Sequence, residues 1–298
     1  MDVEIAPVTR AELADVRALL LAACEFDRAD AVADEKLFGD APAGAPQAWG
    51  AYEAGTLVGV VATCAHALQL LAVSPDARGH GVGTRLLEVA LAAMAASDAP
   101  RARVLGLPGN YLAPGVDERD VATLTWLARR GFTPRGELVT NLLVDVQDNP
   151  RVTRAAADAA ALGLRADGYQ VRRASPEEPV LLAAIASEFG GAWPFEVARA
   201  LAQPTPGVFV ALAVDGSFAG FAAHDGNNAG LGWFGPAGTW PAHRGRGVGE
   251  AVLLACLLDV GALHRQCEIA WIGPRRFYER VAGIAGERRF VMLTKALP

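Results

Sequence analysis

The sequence predicts an α/β (α+β) chain of two tandem domains of like design, each built of strands and helices in the same order. Three observations predict it. The chain has 298 residues, more than the ~100–200 of a typical single domain. A glycine-rich segment occurs twice: Val73-Ser74-Pro75-Asp76-Ala77-Arg78-Gly79-His80-Gly81-Val82-Gly83 returns as Thr239-Trp240-Pro241-Ala242-His243-Arg244-Gly245-Arg246-Gly247-Val248-Gly249. A second segment upstream repeats at nearly the same spacing, Gly55-Thr56-Leu57-Val58-Gly59-Val60-Val61-Ala62 being echoed by Gly216-Ser217-Phe218-Ala219-Gly220-Phe221-Ala222-Ala223. Self-similarity of this kind marks a duplicated unit, and the small change in spacing is what a loop of different length produces.

The elements follow in the same order in each copy. An opening strand (Val3–Ala6; Tyr169–Arg172) precedes a stretch with apolar residues at helical spacing, as in Leu13, Val16, Leu19 and Leu20, or Val180, Leu181, Ala184 and Ile185. A hairpin comes next, turning at Ala54-Gly55 and at Asp215-Gly216 between apolar strands. The glycine loop then opens a helix, Thr84–Ala96 in copy one and Glu250–Leu263 in copy two. A buried strand (Arg103–Leu107; Glu268–Ile272), a further helix and a closing β region complete the unit. Residues 149–168 contain the run Ala155-Ala156-Ala157-Asp158-Ala159-Ala160-Ala161, a strong helix former, and read as a helical linker between domains at 1–148 and 169–298.

Composition excludes several classes of function. Acidic residues outnumber basic ones 33 to 27, a net charge of −6, so the chain as a whole does not attract nucleic acid or an anionic membrane surface. The longest apolar runs, such as Ala251–Leu258, fall short of the ~20 residues that span a bilayer. Met1-Asp2-Val3-Glu4 lacks the basic start of a secretory signal, and Cys24, Cys64, Cys256 and Cys267 show no metal-ligand spacing. A reduced, cytoplasmic protein without a metal is expected, as monomer or homodimer.

Arg-Gly-x-Gly-x-Gly between a strand and a helix presents free backbone N–H groups with no Cβ in the way, at the positive end of a helix dipole. That is a phosphate cradle. A Walker loop would need Gly-Lys-Ser/Thr, but Gly83 is followed by Thr84-Arg85 and Gly249 by Glu250-Ala251. The dinucleotide fingerprint would need a third small residue where Leu86 and Val252 stand. Both segments resemble instead the coenzyme A loop of the Gcn5-related N-acetyltransferases (GNAT), Gln/Arg-x-x-Gly-x-Gly/Ala, and the likeness extends over nearly the whole chain as two tandem domains. The resemblance implies that each domain is a mixed, V-splayed β-sheet flanked by helices, with the pantetheine arm of acetyl-CoA between the splayed strands and the pyrophosphate on the loop. The implied cofactor-binding residues are Val73, Arg78, Gly79, His80, Gly81, Val82, Gly83 and Thr84 in copy one. In copy two they are Thr239, Arg244, Gly245, Arg246, Gly247, Val248, Gly249 and Glu250.

The resemblance also implies a bulge that aims a backbone N–H at the thioester carbonyl. Gly235-Pro236-Ala237-Gly238 supplies such an irregularity, whereas Gln69-Leu70-Leu71-Ala72 in copy one shows none. Acyl transfer needs a neutral amine, an oxyanion donor and an acid for the departing thiolate. By resemblance the acid is Tyr278 in Phe277-Tyr278-Glu279; copy one has Trp126 or Leu127 there, with Tyr111 a weak substitute. Glu188, His224 and Asp225 are candidate bases, and His224 has the most suitable unperturbed pKa, ~6.5. The expected function is direct acetyl transfer from acetyl-CoA to a primary amine of a small molecule or peptide, with copy two active and copy one structural or cofactor-binding only. The alternative is a non-catalytic CoA-binding or regulatory protein built from two degenerate domains.

Overall fold

The structure, a computed structural model, describes residues 2–96 and 100–297. In chain order its strands and helices are β1 (Glu4–Pro7), α1 (Leu13–Ala23), α2 (Ala33–Phe38), β2 (Gln47–Glu53), β3 (Thr56–Cys64), β4 (Ala67–Val73), α3 (Val82–Ala95), β5 (Arg101–Val104), β6 (Val116–Asp117), α4 (Val121–Ala128), β7 (Thr133–Pro134) and β8 (Val139–Asp145). They continue with α5 (Arg154–Ala166), β9 (Gln170–Arg173), α6 (Pro179–Glu188), α7 (Trp193–Leu201), β10 (Val208–Leu212), β11 (Phe218–His224), β12 (Trp233–Thr239), α8 (Val248–Gly261), β13 (Gln266–Ile269), α9 (Arg275–Val281), β14 (Gly286–Val291) and β15 (Leu293–Ala296). Helix α5 is capped by the Thr153 hydroxyl accepting from Ala156 N. Strands β5 and β13 end earlier than the apolar runs suggest. In each the backbone turns into the left-handed region, at Leu105 (φ 57°) and Trp271 (φ 48°), which an extended strand cannot accommodate.

The chain divides into two compact units that do not coincide with the two sequence copies. Unit 1 comprises 1–139 with 289–298, and unit 2 comprises 140–288. In unit 1 the strand order is β1-β2-β3-β4-β5-β15-β7, antiparallel except for the parallel pair β4–β5. Unit 2 repeats the scheme as β9-β10-β11-β12-β13-β8, antiparallel except for the parallel pair β12–β13. The strand beside β5 therefore comes from the end of copy two, and the strand beside β13 from the end of copy one. Chain geometry explains the exchange. Only Met292 lies between β14 and β15, and a hairpin needs at least about two loop residues, so the chain runs straight on into the other sheet.

Each unit buries its glycine-loop helix against the sheet. Helix α3 contributes Val82, Leu86, Leu87, Ala90 and Met94 to a core with Val61, Leu68 and Phe132. Helix α8 carries buried residues on every side, from Val248 to Val260, because the sheet lies on one flank and α5 on the other. Helices α6 and α7 cover the opposite face of unit 2 through Leu181, Ile185, Val197 and Leu201.

The bulge anticipated in β12 is present, and so is one in β4. Ala222 pairs with Ala237 and His224 with Phe234, which leaves one extra residue on β12 at Gly235-Pro236. Ala62 pairs with Leu70 and Thr63 with Leu68, which leaves Gln69 as the extra residue on β4. The expectation that Gln69-Leu70-Leu71-Ala72 runs without irregularity is thus overturned. No glycine or proline marks the bulge in copy one, because a glutamine adopts it at no steric cost. Each parallel pair is confined to the two residues before its bulge, Ala67 and Leu68 with Arg103 and Val104, and Trp233 and Phe234 with Glu268 and Ile269. Beyond those residues no ladder pairing among the described residues holds the strands together, which is the splay that the resemblance implies.

The strand exchange predicts that neither sequence copy folds alone. Residues 1–148 lack β15 and residues 169–298 lack β8, so each expressed separately should be insoluble or melt without cooperativity, by size exclusion and circular dichroism. Co-expression should restore a cooperative transition. A soluble single half with a cooperative melt would contradict the exchange.

Candidate functional site

The two glycine loops have the same geometry. A single 3-10 turn (Pro75–Ala77; Pro241–His243) follows the bulged strand, and the loop ends in an N-cap glycine, Gly81 at φ 85° or Gly247 at φ 87°. Among the described residues no side chain caps either helix, so its first backbone N–H groups are left for an external acceptor. A Cβ built on Gly245 or Gly247 would meet nothing within 4 Å, yet both residues lie in the left-handed region. Glycine serves there for backbone conformation and leaves an open, exposed concavity. The third glycine of each loop serves close packing instead, since a Cβ on Gly83 would touch the Trp126 ring at 3.3 Å, and one on Gly249 the Thr239 hydroxyl at 3.2 Å.

The remaining residues of the expected cofactor set divide by location. Arg78 Nε donates to Val73 O (3.2 Å) and Arg244 Nε to Thr239 O (3.1 Å), so both guanidinium groups brace the loop against the strand end. Arg78 also reaches Ala23 O at 2.9 Å. His80, Gly79 and Arg246 are exposed on the loop, while Val82 and Val248 are buried beneath it. Thr84 accepts from Arg130 Nη2 at 2.6 Å, with the guanidinium 3.8 Å from the Trp126 ring centroid. The equivalent Glu250 is ion-paired with Arg280 at 2.7 Å. The groups left without a cap are thus on the loop backbone, and most of the side chains shape it.

Tyr278 lies on α9 with its ring edge-on to Phe234 (centroids 6.4 Å apart) and to Phe277 (5.1 Å). Phe234 immediately precedes the Gly235-Pro236 bulge, so packing brings the tyrosine beside that bulge from more than forty residues away in sequence. Burial, reinforced by Cys267, pushes the phenol up to about 12. It stays protonated at any working pH. In copy one Trp126 packs on Gly83 as Phe277 packs on Gly249, which puts Leu127 in the tyrosine's place, fully buried and without a polar atom.

His224 is not placed to act as a base. Its Nδ1 lies 2.9 Å from Asp225 Oδ2 and its Nε2 2.9 Å from Asp259 Oδ2, so no lone pair faces a substrate. Burial opposes the charge, but the hydrogen bonds and charges of the two carboxylates outweigh it and lift the imidazole to about 9. Asp259 also pairs with Arg173 (Nη1–Oδ2 2.8 Å), whose guanidinium lies over Phe209. Asp259 is twelve residues along α8 from Gly247, about 18 Å from the loop at the helical rise. The network is a structural clasp between β11 and α8. Sequence alone saw His224-Asp225 as a loop pair; the third and fourth members, Asp259 and Arg173, have no sequence signal. Asp225 is likewise engaged, accepting from Gly230 N at 2.8 Å. Glu188, at the exposed C-terminus of α6, makes no hydrogen bond among the described residues.

The described residues hold no cluster of His, Cys, Asp or Glu able to bind a metal ion, and no helix among them is long and apolar enough to cross a membrane. All four cysteines are free thiols.

A mixed sheet split at a bulged strand, with an uncapped glycine loop following that strand, is the arrangement that the resemblance to the GNAT fold implies. Residues 45–134 match the acetyltransferase (GNAT) domain family. Among solved structures the chain resembles the glucosamine N-acetyltransferase region of a fungal multi-domain β-N-acetylglucosaminidase (TM-score 0.77, 20% identity), over 98% of this chain and 38% of that one. A tandem GNAT protein from the clavulanic acid biosynthesis pathway matches over 100% of this chain and 99% of its own (TM-score 0.72, 18% identity). A GCN5-related N-acetyltransferase from Sphaerobacter thermophilus matches over 99% and 96% (TM-score 0.66, 17% identity). No curated protein matches the chain in sequence. The chain thus has the fold of tandem GNAT proteins over its whole length, and residues 45–134 match the GNAT domain family, in line with the resemblance of its two glycine loops.

The clasp makes a pH prediction. His224 has a folded pKa of about 9, above the ~6.5 of the unfolded chain, so its contribution is complete below ~6.5 and disappears as pH rises through 9. Asp259 is held well below the usual carboxylate range, and its contribution is lost as pH falls below ~4. Thermal melts should show stability declining from pH 7 to 10. His224→Leu should cost roughly 3 kcal/mol at pH 6 and much less at pH 10; an unchanged difference across that range would refute the charged clasp.

Proposed function

We propose that the protein transfers the acetyl group of acetyl-CoA directly to a primary amine, and that copy two carries the reaction. The observation supporting it most is the packing of Tyr278 on Phe234, which sets a buried, protonated phenol beside the β12 bulge at the mouth of an uncapped glycine loop. The residues of copy two suit the cofactor: open space over Gly245 and Gly247 for the pyrophosphate, and unpaired β12 edge beyond Phe234 for the arm. Bound acetyl-CoA supplies the activated acetyl thioester.

The chain's own groups divide the remaining work. The bulge at Gly235-Pro236 releases backbone from the ladder, where an N–H can stabilise negative charge developing on the carbonyl oxygen. Tyr278 donates a hydrogen bond to the departing sulfur. At about 12 it is a weaker acid than a thiol near 8.5, so full transfer from the free phenol would be uphill by about 5 kcal/mol. The proton that ends on the sulfur is therefore the one the amine releases, with Tyr278 stabilising the thiolate until it arrives. Of the three candidate bases Glu188 is the one left uncommitted among the described residues, and it precedes Phe189, whose ring would lie 2.7 Å from a Cβ on Gly238 of β12. It is the group we assign to receiving the amine proton. Ser217 donates to Asp215 at 2.6 Å on the exposed turn between β10 and β11, and no cysteine among the described residues is hydrogen-bonded to a carboxylate or imidazole, in keeping with direct transfer.

Tyr278→Phe should lower kcat by about 10²-fold while leaving acetyl-CoA affinity and stability nearly constant. Gly247→Glu should abolish acetyl-CoA binding in calorimetry and turnover measured by thiol release with a panel of amines. Gly81→Glu, the matching change in copy one, should leave turnover within about twofold. A wild-type chain that binds acetyl-CoA but turns over no amine would favour the non-catalytic alternative.

A further inference from the structure

The two copies differ most in the segment that follows the second strand of the split. In copy two, five residues (270–274) join β13 to α9, and a Cβ on Gly273 would meet nothing within 4 Å. In copy one, sixteen residues (105–120) join β5 to α4, and 109–117 are all buried. This longer segment folds back on itself, Gly106 N donating to Ala113 O at 2.9 Å. At its return a Cβ on Gly115 would strike Val291 O at 2.5 Å, so it has no slack. Its turn lies against the bulge: Gln69 Nε2 donates to Asn110 O at 2.7 Å, with Gln69 1% exposed. Asn110, 0% exposed, donates through Nδ2 to Glu35 O and Gly39 O, both at 3.0 Å, and accepts from Lys36 Nζ at 3.0 Å. Lys36, one of two lysines in the chain, is 1% exposed and pairs with Glu35 at 2.7 Å.

We infer that copy one is closed to the acyl arm from within: Asn110, seated on the Gln69 bulge and locked by Lys36 and Glu35, occupies the place that the thioester and the acceptor amine take in copy two. The inference rests on the acetyl-transfer reading of copy two and names where copy one departs from it. In copy one the side chain of the bulge residue itself, through Gln69 Nε2, is spent on an internal ligand, the Asn110 carbonyl. To admit an acyl arm, Asn110 would have to leave, taking a hydrogen-bond partner from the Gln69 amide, from the Glu35 and Gly39 carbonyls and from buried Lys36 together. The glycine loop of copy one, outside this closure, keeps its geometry. Copy one is thereby a scaffold with a loop that can hold only the phosphate end of the cofactor.

Hydrogen exchange of the wild-type chain with saturating acetyl-CoA tests this directly. Residues 233–239 of copy two should exchange at least about fivefold more slowly, while 67–73 and 107–113 of copy one change by less than about twofold. Comparable slowing at 67–73 would overturn the closure while leaving the function of copy two intact. Slowing at 67–73 alone would overturn both. Slowing at neither segment would defeat the acetyl-CoA reading and the inference resting on it.

Discussion

The structure depends on a parallel strand pair that is allowed to form for two residues and then prevented from continuing. In each copy a single extra residue, Gln69 or the Gly235-Pro236 step, shifts the register at that point. A parallel ladder otherwise gains a hydrogen bond with every residue, so something must interrupt it for a split to exist. The bulge does so while the outer partner strands β3 and β11 keep the sheet intact on the other side. In copy two the strand carrying that interruption leads directly into the glycine loop and the start of α8, and α9 packs Tyr278 against Phe234 just before it.

The same constraint is used in opposite ways by the two copies. In copy two the residue before the bulge is Phe234 and its partner is Tyr278, an aromatic pair with one polar atom. In copy one the corresponding residues are Leu68 and Leu127, both in one apolar cluster, and a buried amide and lysine fill the other side. The family match covers 45–134, within copy one, so the copy that matches the family model is the one with Leu127 where copy two has Tyr278. Sequence likeness there follows the strand–loop–helix scaffold and carries no information about the chemistry. Strand exchange gives such a scaffold a reason to persist. The sheet of unit 1 includes β15 from copy two, and that of unit 2 includes β8 from copy one, so neither copy can be lost without opening the other's sheet.

His224 illustrates how a good candidate by composition is reassigned by its neighbours. Its unperturbed pKa suits a base, but two carboxylates from different elements convert it to a cation. The same chemistry that would help deprotonate an amine in solvent here ties a strand end to a helix.

The duplication, the element order, the uncapped glycine loops, the irregularity of β12 and the tyrosine after β13 were all legible in the sequence. Each is a local matter: glycine at positive φ, proline in a strand and apolar periodicity act through a residue's own backbone and nearest neighbours. What only the tertiary structure decided involves partners far apart in the chain. The bulge at Gln69 left no mark because glutamine tolerates the conformation, and its reason is Asn110, 41 positions away. The strand exchange follows from a single-residue link at Met292, which reads as part of one β region until the sheets are seen. The Arg173–Asp259–His224 clasp joins three elements by charge, and charge pairing has no period for a sequence to display.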